Sequence, residues 1–257
     1  MIIKEKIMNS DNSNTDIILK AINKSYQKGD STVVVHNDFN LTIKSGEFVA
    51  LMGPSGLGKS TLLHLMGGLD KPTQGEIYIG HQRIDNLSQK QLTQWRADNI
   101  GFVFQSHHLL PVLSAQGNVE LPLALTPLNQ KQRKQHASMA LQLVNMSERA
   151  NHYPKELSGG QEQRVAIARA IVSDPQILLC DEPTGNLDRK TADEILALLA
   201  KLNSDSGKTI VMVTHDIKAA DYATRVIDLE SYLLAKNKEQ PENKTLALDN
   251  VLVGKSA

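Results

Sequence analysis

The sequence holds 257 residues, with 28 Lys and Arg against 28 Asp and Glu, so the formal net charge is zero. That length allows one large domain or two closely joined lobes, and the charge balance weighs against a protein that attracts nucleic acid by its overall field. A lone cysteine, Cys180, excludes an internal disulfide, no apolar run nears the roughly 18 residues of a membrane span, and the first 14 residues lack an apolar core of signal-peptide length.

Composition alone thus describes a soluble cytosolic protein. The polar residues 1–16 read as a flexible lead. Short runs rich in Ile, Val and Phe follow at Ile17–Ile22, Thr32–Val35, Phe39–Ile43 and Phe48–Met52, broken at Lys28-Gly29-Asp30 and Ser45-Gly46, and predict strands. Another strand is expected at Glu76–Ile79, a helix from the Ser88–Gln91 capping box to about Ala97, and a buried strand at Ile100–Phe104. Between Lys131 and Met146, Ala137, Ala140, Leu141 and Val144 recur with helical spacing. A further helix starts after Ser158.

The last third alternates apolar strands (Ile177–Cys180, Thr209–Thr214, Val226–Leu229) with helices near Ala192–Leu202 and Lys218–Ala223. Strands apolar along their whole length indicate a parallel sheet covered on both faces. The expected class is α/β, with an antiparallel β lobe in front and a helical insertion within the core. Residues 235–257 read as a polar tail, in which TLALDNVLVG is apolar enough for a short strand or a docking peptide.

Three segments carry chemistry. Gly53-Pro54-Ser55-Gly56-Leu57-Gly58-Lys59-Ser60 matches G-x-x-x-x-G-K-[ST] between a strand and an apolar helix. Its glycines let backbone N–H groups wrap phosphates, its lysine suits β- and γ-phosphates, and Ser60 suits Mg²⁺. Ile177–Cys180 ends in Asp181-Glu182: the first carboxylate can hold the Mg²⁺ shell and the second can orient or deprotonate a water. Alone, such a pair is a strand meeting solvent; beside the phosphate loop it becomes a hydrolytic pair. Leu157-Ser158-Gly159-Gly160-Gln161 opens a helix with a good N-cap and two exposed glycine amides, a second anion-binding start.

In this order the three segments resemble the ATP-binding cassette (ABC) ATPases, a P-loop NTPase family, over about residues 17–230. The resemblance implies that Gly53, Pro54, Ser55, Gly56, Gly58, Lys59, Ser60 and Thr61 bind the nucleotide and that Tyr26 stacks on adenine. It further implies that Ser60, Gln105 and Asp181 hold Mg²⁺, and that Glu182, His215, Gln105 and Lys59 form the catalytic set. Ser158, Gly160, Gln161 and Asp188 would face a second subunit's ATP in a head-to-tail homodimer. Without this context, Tyr26 is an ordinary strand-edge tyrosine and His215 an ordinary strand-end histidine. The segments GGLDKPTQGEI, GFVFQSHHLLPVLSAQGNVELPL and DEPTGNLDRKT resemble the LolD/MacB/YbbA group. This implies an integral membrane permease with a periplasmic domain, with or without a periplasmic adaptor, and a place at the cytoplasmic face of the inner membrane. It also puts His107, His108, Leu109 and Leu110 where the permease docks. The ATPase unit would span 17–234, with a helical subdomain at about 105–170. Two rivals remain: a regulatory ABC ATPase of cell division, and a soluble translation or DNA-repair ATPase, which this chain's single phosphate loop and lack of a heptad run disfavour.

Overall fold

A computed structural model describes residues 15–239. The lead at 1–14 and the TLALDNVLVG segment lie outside the described residues.

In chain order the elements are β1 (Ile17–Lys28), β2 (Ser31–Ile43), β3 (Phe48–Met52), α1 (Lys59–Met66), β4 (Gln74–Ile79), β5 (Gln82–Arg83), α2 (Gln89–Asn99) and β6 (Ile100–Phe104). A helical stretch follows: α3 (Ala115–Glu120), a 3₁₀ turn at Leu121–Leu125, α4 (Gln130–Leu143), two more 3₁₀ turns, and α5 (Gly159–Ile171). The chain closes with β7 (Ile177–Asp181), α6 (Arg189–Ser206), β8 (Thr209–Val213), α7 (Ile217–Ala220), β9 (Arg225–Asp228) and α8 (Leu229–Glu239).

The first lobe is an antiparallel sheet in the order β2-β1-β4-β5. Its turn falls at the expected Lys28-Gly29-Asp30 break, but the two runs expected at Thr32–Val35 and Phe39–Ile43 are one strand. They are joined through an irregularity on either side of the Ile22–Phe39 pair, where Asp38 (φ 48°) and Ala21 (φ 49°) both adopt positive φ. Asn side chains take up the displaced amides: Asn23 Oδ1 accepts from Asp38 N–H and Asn40 Oδ1 from Ala21 N–H. The extra residues re-phase the strands so that Ile17, Leu19, Ile22, Phe39 and Ile43 all stay buried.

The second sheet is parallel throughout, in the order β6-β7-β8-β3-β9. Its residues alternate between two cores. Val49, Leu51, Leu179, Val211 and Val213 join α1, α2 and the β lobe, while Ala50, Leu178, Cys180, Ile210 and Met212 join α3 to α6. Burial on both faces is why these strands read as unbroken apolar runs. The caps follow the sequence closely, with reciprocal boxes at Ser88/Gln91, Asn129/Gln132 and Ser158/Gln161. Among the described residues no helix is long and apolar enough to cross a membrane.

The C-terminal end differs from expectation. β9 stops at Asp228, whose carboxylate accepts from Glu230 N–H and Ser231 Oγ, and the chain turns into α8. α8 lies back on the β lobe, with the Tyr232 ring 5.0 Å from Phe39 and its hydroxyl donating to the Asn40 carbonyl. The boundary expected between residues 234 and 235 therefore falls inside a helix.

Candidate active site

In a parallel sheet all strands deliver their C-terminal ends to one edge. Gly53 leaves β3 there, Gln105 leaves β6, Asp181 and Glu182 end β7, and Thr214 and His215 follow β8. The residues singled out in the sequence converge because the topology brings four strand ends together.

The phosphate loop turns on left-handed glycines: φ is 142° at Gly53, 89° at Gly56 and 78° at Gly58. At Gly58 a Cβ would stand 2.4 Å from Val35 Cγ1 and 2.5 Å from His36 Nε2, so both conformation and space demand glycine. The loop then opens α1, the Gly58 carbonyl accepting from Leu62 N–H at 2.9 Å. Lys59 curls back over its own loop, Nζ donating to the carbonyls of Gly53 (2.7 Å) and Pro54 (2.8 Å). One of its three donors remains for an anion.

Ser60 Oγ donates to Asp181 Oδ1 at 3.0 Å, joining the phosphate loop to the end of β7. Both line a cleft of about 300 Å³ with Phe104, Gln105, Ser106, His108 and Glu182. Burial pushes the Asp181 carboxyl above the ordinary carboxylate range; the Ser60 hydrogen bond and the nearby His64 and Lys59 offset part of that rise. A hydroxyl, a carboxylate and the Gln105 amide, all oxygen donors in one small cleft, suit the hard ligand preference of Mg²⁺.

Glu182 sits at φ 46°, a strained conformation for a non-glycine residue and one found preferentially at functional sites. Its N–H donates to the Val213 carbonyl (3.0 Å), and its Oε1 lies 3.1 Å from His215 Nδ1. Gln105 lines the cleft but turns its amide toward the loop after β7, Nε2 donating to Asn186 Oδ1 at 3.0 Å. Tyr26 stands on β1 with its hydroxyl beside Thr61 and donating to Asp70 Oδ2 at 2.7 Å.

Ser158, Gly160 and Gln161 do not line this cleft. They start α5 next to the start of α6, where Asp188 caps the helix by accepting from Thr191 N–H and Oγ1. A Cβ on Gly160 would stand 2.3 Å from Thr191 Cγ2, so these two helix starts touch through a bare glycine.

Several residues that tie the site together escaped sequence reasoning. Gln163, wholly buried on α5, donates from Nε2 to the Pro183 carbonyl (2.5 Å) and the Phe104 carbonyl (3.4 Å), so one side chain touches both loops flanking the cleft. The available signal was a glutamine on the apolar stripe that also holds Ile167 and Ala170. Arg169 donates to the carbonyls of both His107 and His108 at 2.6 Å. These consecutive histidines have φ of 36° and 49°. His107 Nδ1 lies 2.9 Å from Glu162 Oε2, so a carboxylate reaches it from α5 and not from its own neighbourhood in the sequence. His108 packs edge-on against Phe104. Asn118, fully buried in α3, bonds both the N–H and the carbonyl of Leu110 and also the carbonyls of Leu113 and Ser114.

Comparison with known proteins follows the same pattern. The family model described as "ABC transporter" matches residues 36–185. The uncharacterized ABC transporter ATP-binding protein MJ0796 of Methanocaldococcus jannaschii is 50% identical over 218 residues, covering 83% of this chain and 93% of that protein. A dimeric structure of that cassette, in a post-hydrolysis state bound to ADP and Pi, superposes with a TM-score of 0.77 at 47% identity, over 82% of this chain and 93% of that one. The lipoprotein-releasing system ATP-binding protein LolD of Idiomarina loihiensis is 45% identical over 226 residues, 87% of this chain and 99% of that protein. The macrolide export ATP-binding/permease protein MacB of Rhodopseudomonas palustris is 45% identical over 213 residues, 83% of this chain and 32% of that protein. With a phosphate loop, a Ser60–Asp181 pair and a Glu182–His215 pair gathered at one sheet edge, the chain belongs to the ABC transporter ATP-binding family, related to LolD and MacB, and is an ATPase that acts on ATP with Mg²⁺.

Proposed function

We propose that this chain powers a membrane complex of the LolD/MacB kind, closing as a head-to-tail dimer on ATP and reopening after hydrolysis. The observation that carries this reading is the division of the site. Ser60 of the phosphate loop, Asp181 and Glu182 line one cleft, with His215 bonded to Glu182 beside it, while Ser158, Gly160 and Gln161 start α5 outside that cleft. A second copy would supply the missing helix start, with Asp188 beside it.

In this reading the loop amides of Gly53, Ser55, Gly56 and Gly58, on a turn that Pro54 shapes, hold the α- and β-phosphates with Thr61, and Lys59 neutralises the β,γ region. Ser60, Asp181 and Gln105 hold Mg²⁺, which supplies charge neutralisation at the phosphate oxygens. Glu182 orients the attacking water and takes its proton as the bond to the γ-phosphorus forms and ADP leaves. His215 fixes the Glu182 carboxylate and contacts the γ-phosphate. The second copy's Ser158 and Gly160 add backbone donors where charge develops. Tyr26 stacks on the base.

The permease would dock against the 105–170 subdomain at the cytoplasmic face of the inner membrane, near His107–Leu110. The cargo, by relation to LolD and MacB, is a lipoprotein, lipid, peptide or drug extracted or exported. Glu182→Gln with ATP is expected to run as a dimer by light scattering and the nucleotide-free chain as a monomer; Lys59→Ala is expected to lose ATP turnover by about 100-fold or more. A Glu182→Gln chain that stays monomeric with ATP overturns the closure scheme. Capture from detergent-solubilised membrane identifies the partner: a permease with a periplasmic domain supports the transport reading, and a cell-wall regulator or ribosomes replace it.

A further inference from the structure

Tyr26 is braced. Besides the bond from its hydroxyl to Asp70 Oδ2, Lys24 Nζ stands 4.5 Å from the centre of its ring and 2.8 Å from Asp70 Oδ1. Lys24 is 8% exposed and lies over the ring, while Tyr26 itself is 41% exposed. The brace is itself held: Lys24 Nζ donates to the Lys71 carbonyl (2.8 Å), and Lys71 N–H donates to Asp70 Oδ1 (2.7 Å). Burial alone would raise the Asp70 carboxyl, but the donors from Lys24, Tyr26 and Lys71 outweigh it and hold the group below the ordinary carboxylate range.

Asp70 also hangs from the end of the phosphate-loop helix. The N–H groups of Leu69 (2.9 Å) and Asp70 (3.3 Å) both donate to the His64 carbonyl in the last turns of α1, whose first residues are Lys59 and Ser60. One helix therefore runs from the phosphate loop to the carboxylate that grips the tyrosine. A partly exposed tyrosine would otherwise sample several rotamers and lose that freedom on binding a ligand.

We infer that Asp70, braced by Lys24, is a positioning residue that sets the Tyr26 ring at a fixed station from the phosphate loop, ready to receive the nucleotide base. This rests on the reading of Tyr26 as the base-stacking residue. The test is calorimetric binding of ADP and of inorganic tripolyphosphate, which has no base, to the full chain and to Tyr26→Ala, Tyr26→Phe and Asp70→Ala. Tyr26→Phe keeps the ring and removes the hydroxyl's contacts with Asp70 and Thr61, whereas Asp70→Ala removes the grip alone. Tyr26→Phe and Asp70→Ala are each expected to weaken ADP binding about three- to tenfold, the size of one lost hydrogen bond. Tripolyphosphate affinity should hold, and the loss in ATP turnover should appear in KM more than in kcat. If Tyr26→Ala binds ADP like the parent, the stacking reading fails. If Tyr26→Ala weakens ADP while Tyr26→Phe and Asp70→Ala do not, stacking stands and the brace is refuted. Equal loss of tripolyphosphate binding would make Asp70 a support of the phosphate loop, which also refutes it.

Discussion

The two sides of the cleft are held in different ways. On the phosphate-loop side the contacts are main chain: three left-handed glycines set the path, and Lys59 bonds two carbonyls of its own loop. On the helical side side chains do the holding, with Glu162, Gln163 and Arg169 of α5 gripping the segment from Phe104 to His108. A main-chain cradle presents fixed donors and resists rearrangement. A grip of long side chains makes the loop after β6 follow α5 as a unit, and the same helix begins with Ser158 and Gly160. The difference separates a loop shaped by its own backbone from a loop tied by side chains to a distant helix.

Three substitutions test that contrast. Gly58→Ala strikes the cradle: the new methyl meets Val35 and His36, and φ of 78° is strained for alanine. ATP turnover is expected to fall about 100-fold, with about 1–3 kcal/mol of stability lost, read by steady-state ATPase assay and denaturant unfolding. A turnover within twofold of the parent would mean the cradle tolerates side chains and the contrast is wrong. Arg169→Ala strikes the grip, leaving the His107 and His108 carbonyls without this partner. Here nucleotide affinity should stay within about twofold while turnover falls about tenfold; an equal loss in both would merge the two sides into one.

The smallest effect concerns His36, which lies under the cradle with Nε2 3.1 Å from the Gly58 carbonyl and a buried Nδ1 without a hydrogen-bond partner. Burial lowers its pKa, and the bond to Gly58 offsets only part of that. The fold therefore favours the neutral ring. As pH falls through the unfolded value of about 6.5 the unfolded chain takes up the proton first, so stability is full above that pH and declines below it. His36→Gln keeps a donor for Gly58 and cannot titrate. Its melting temperature should fall less than the parent's between pH 8 and pH 5.5; parallel curves would remove His36 from the pH response.

Much of the fold was legible because burial on both faces writes itself as solid apolar runs: β7 (Ile177–Asp181) and β8 (Thr209–Val213) fall on the runs expected at Ile177–Cys180 and Thr209–Thr214. The chemistry was legible because Gly53–Ser60 and Asp181-Glu182 are local patterns, fixed by what one turn and one strand end must do. What escaped depends on distant partners. The union of two runs into β2 required knowing that Asp38 adopts a left-handed conformation against Asn23. α8 was not expected, because the residue that caps it, Asp228, looks like any strand end. Gln163 bridges residues that lie 59 and 20 positions away, and Asp70 meets Tyr26 from 44 positions away. No periodicity encodes such meetings.

The wholly buried Cys180 has a use of its own. Burial, with Asp181 adding to it, pushes its thiol up to about 12, so the native chain offers almost no thiolate to an alkylating reagent at neutral pH. A maleimide should therefore mark molecules only as they unfold, making the chain its own reporter of opening. Cysteines introduced on the surface for labels or cross-links can be read directly in the parental background, with no substitution of the native thiol.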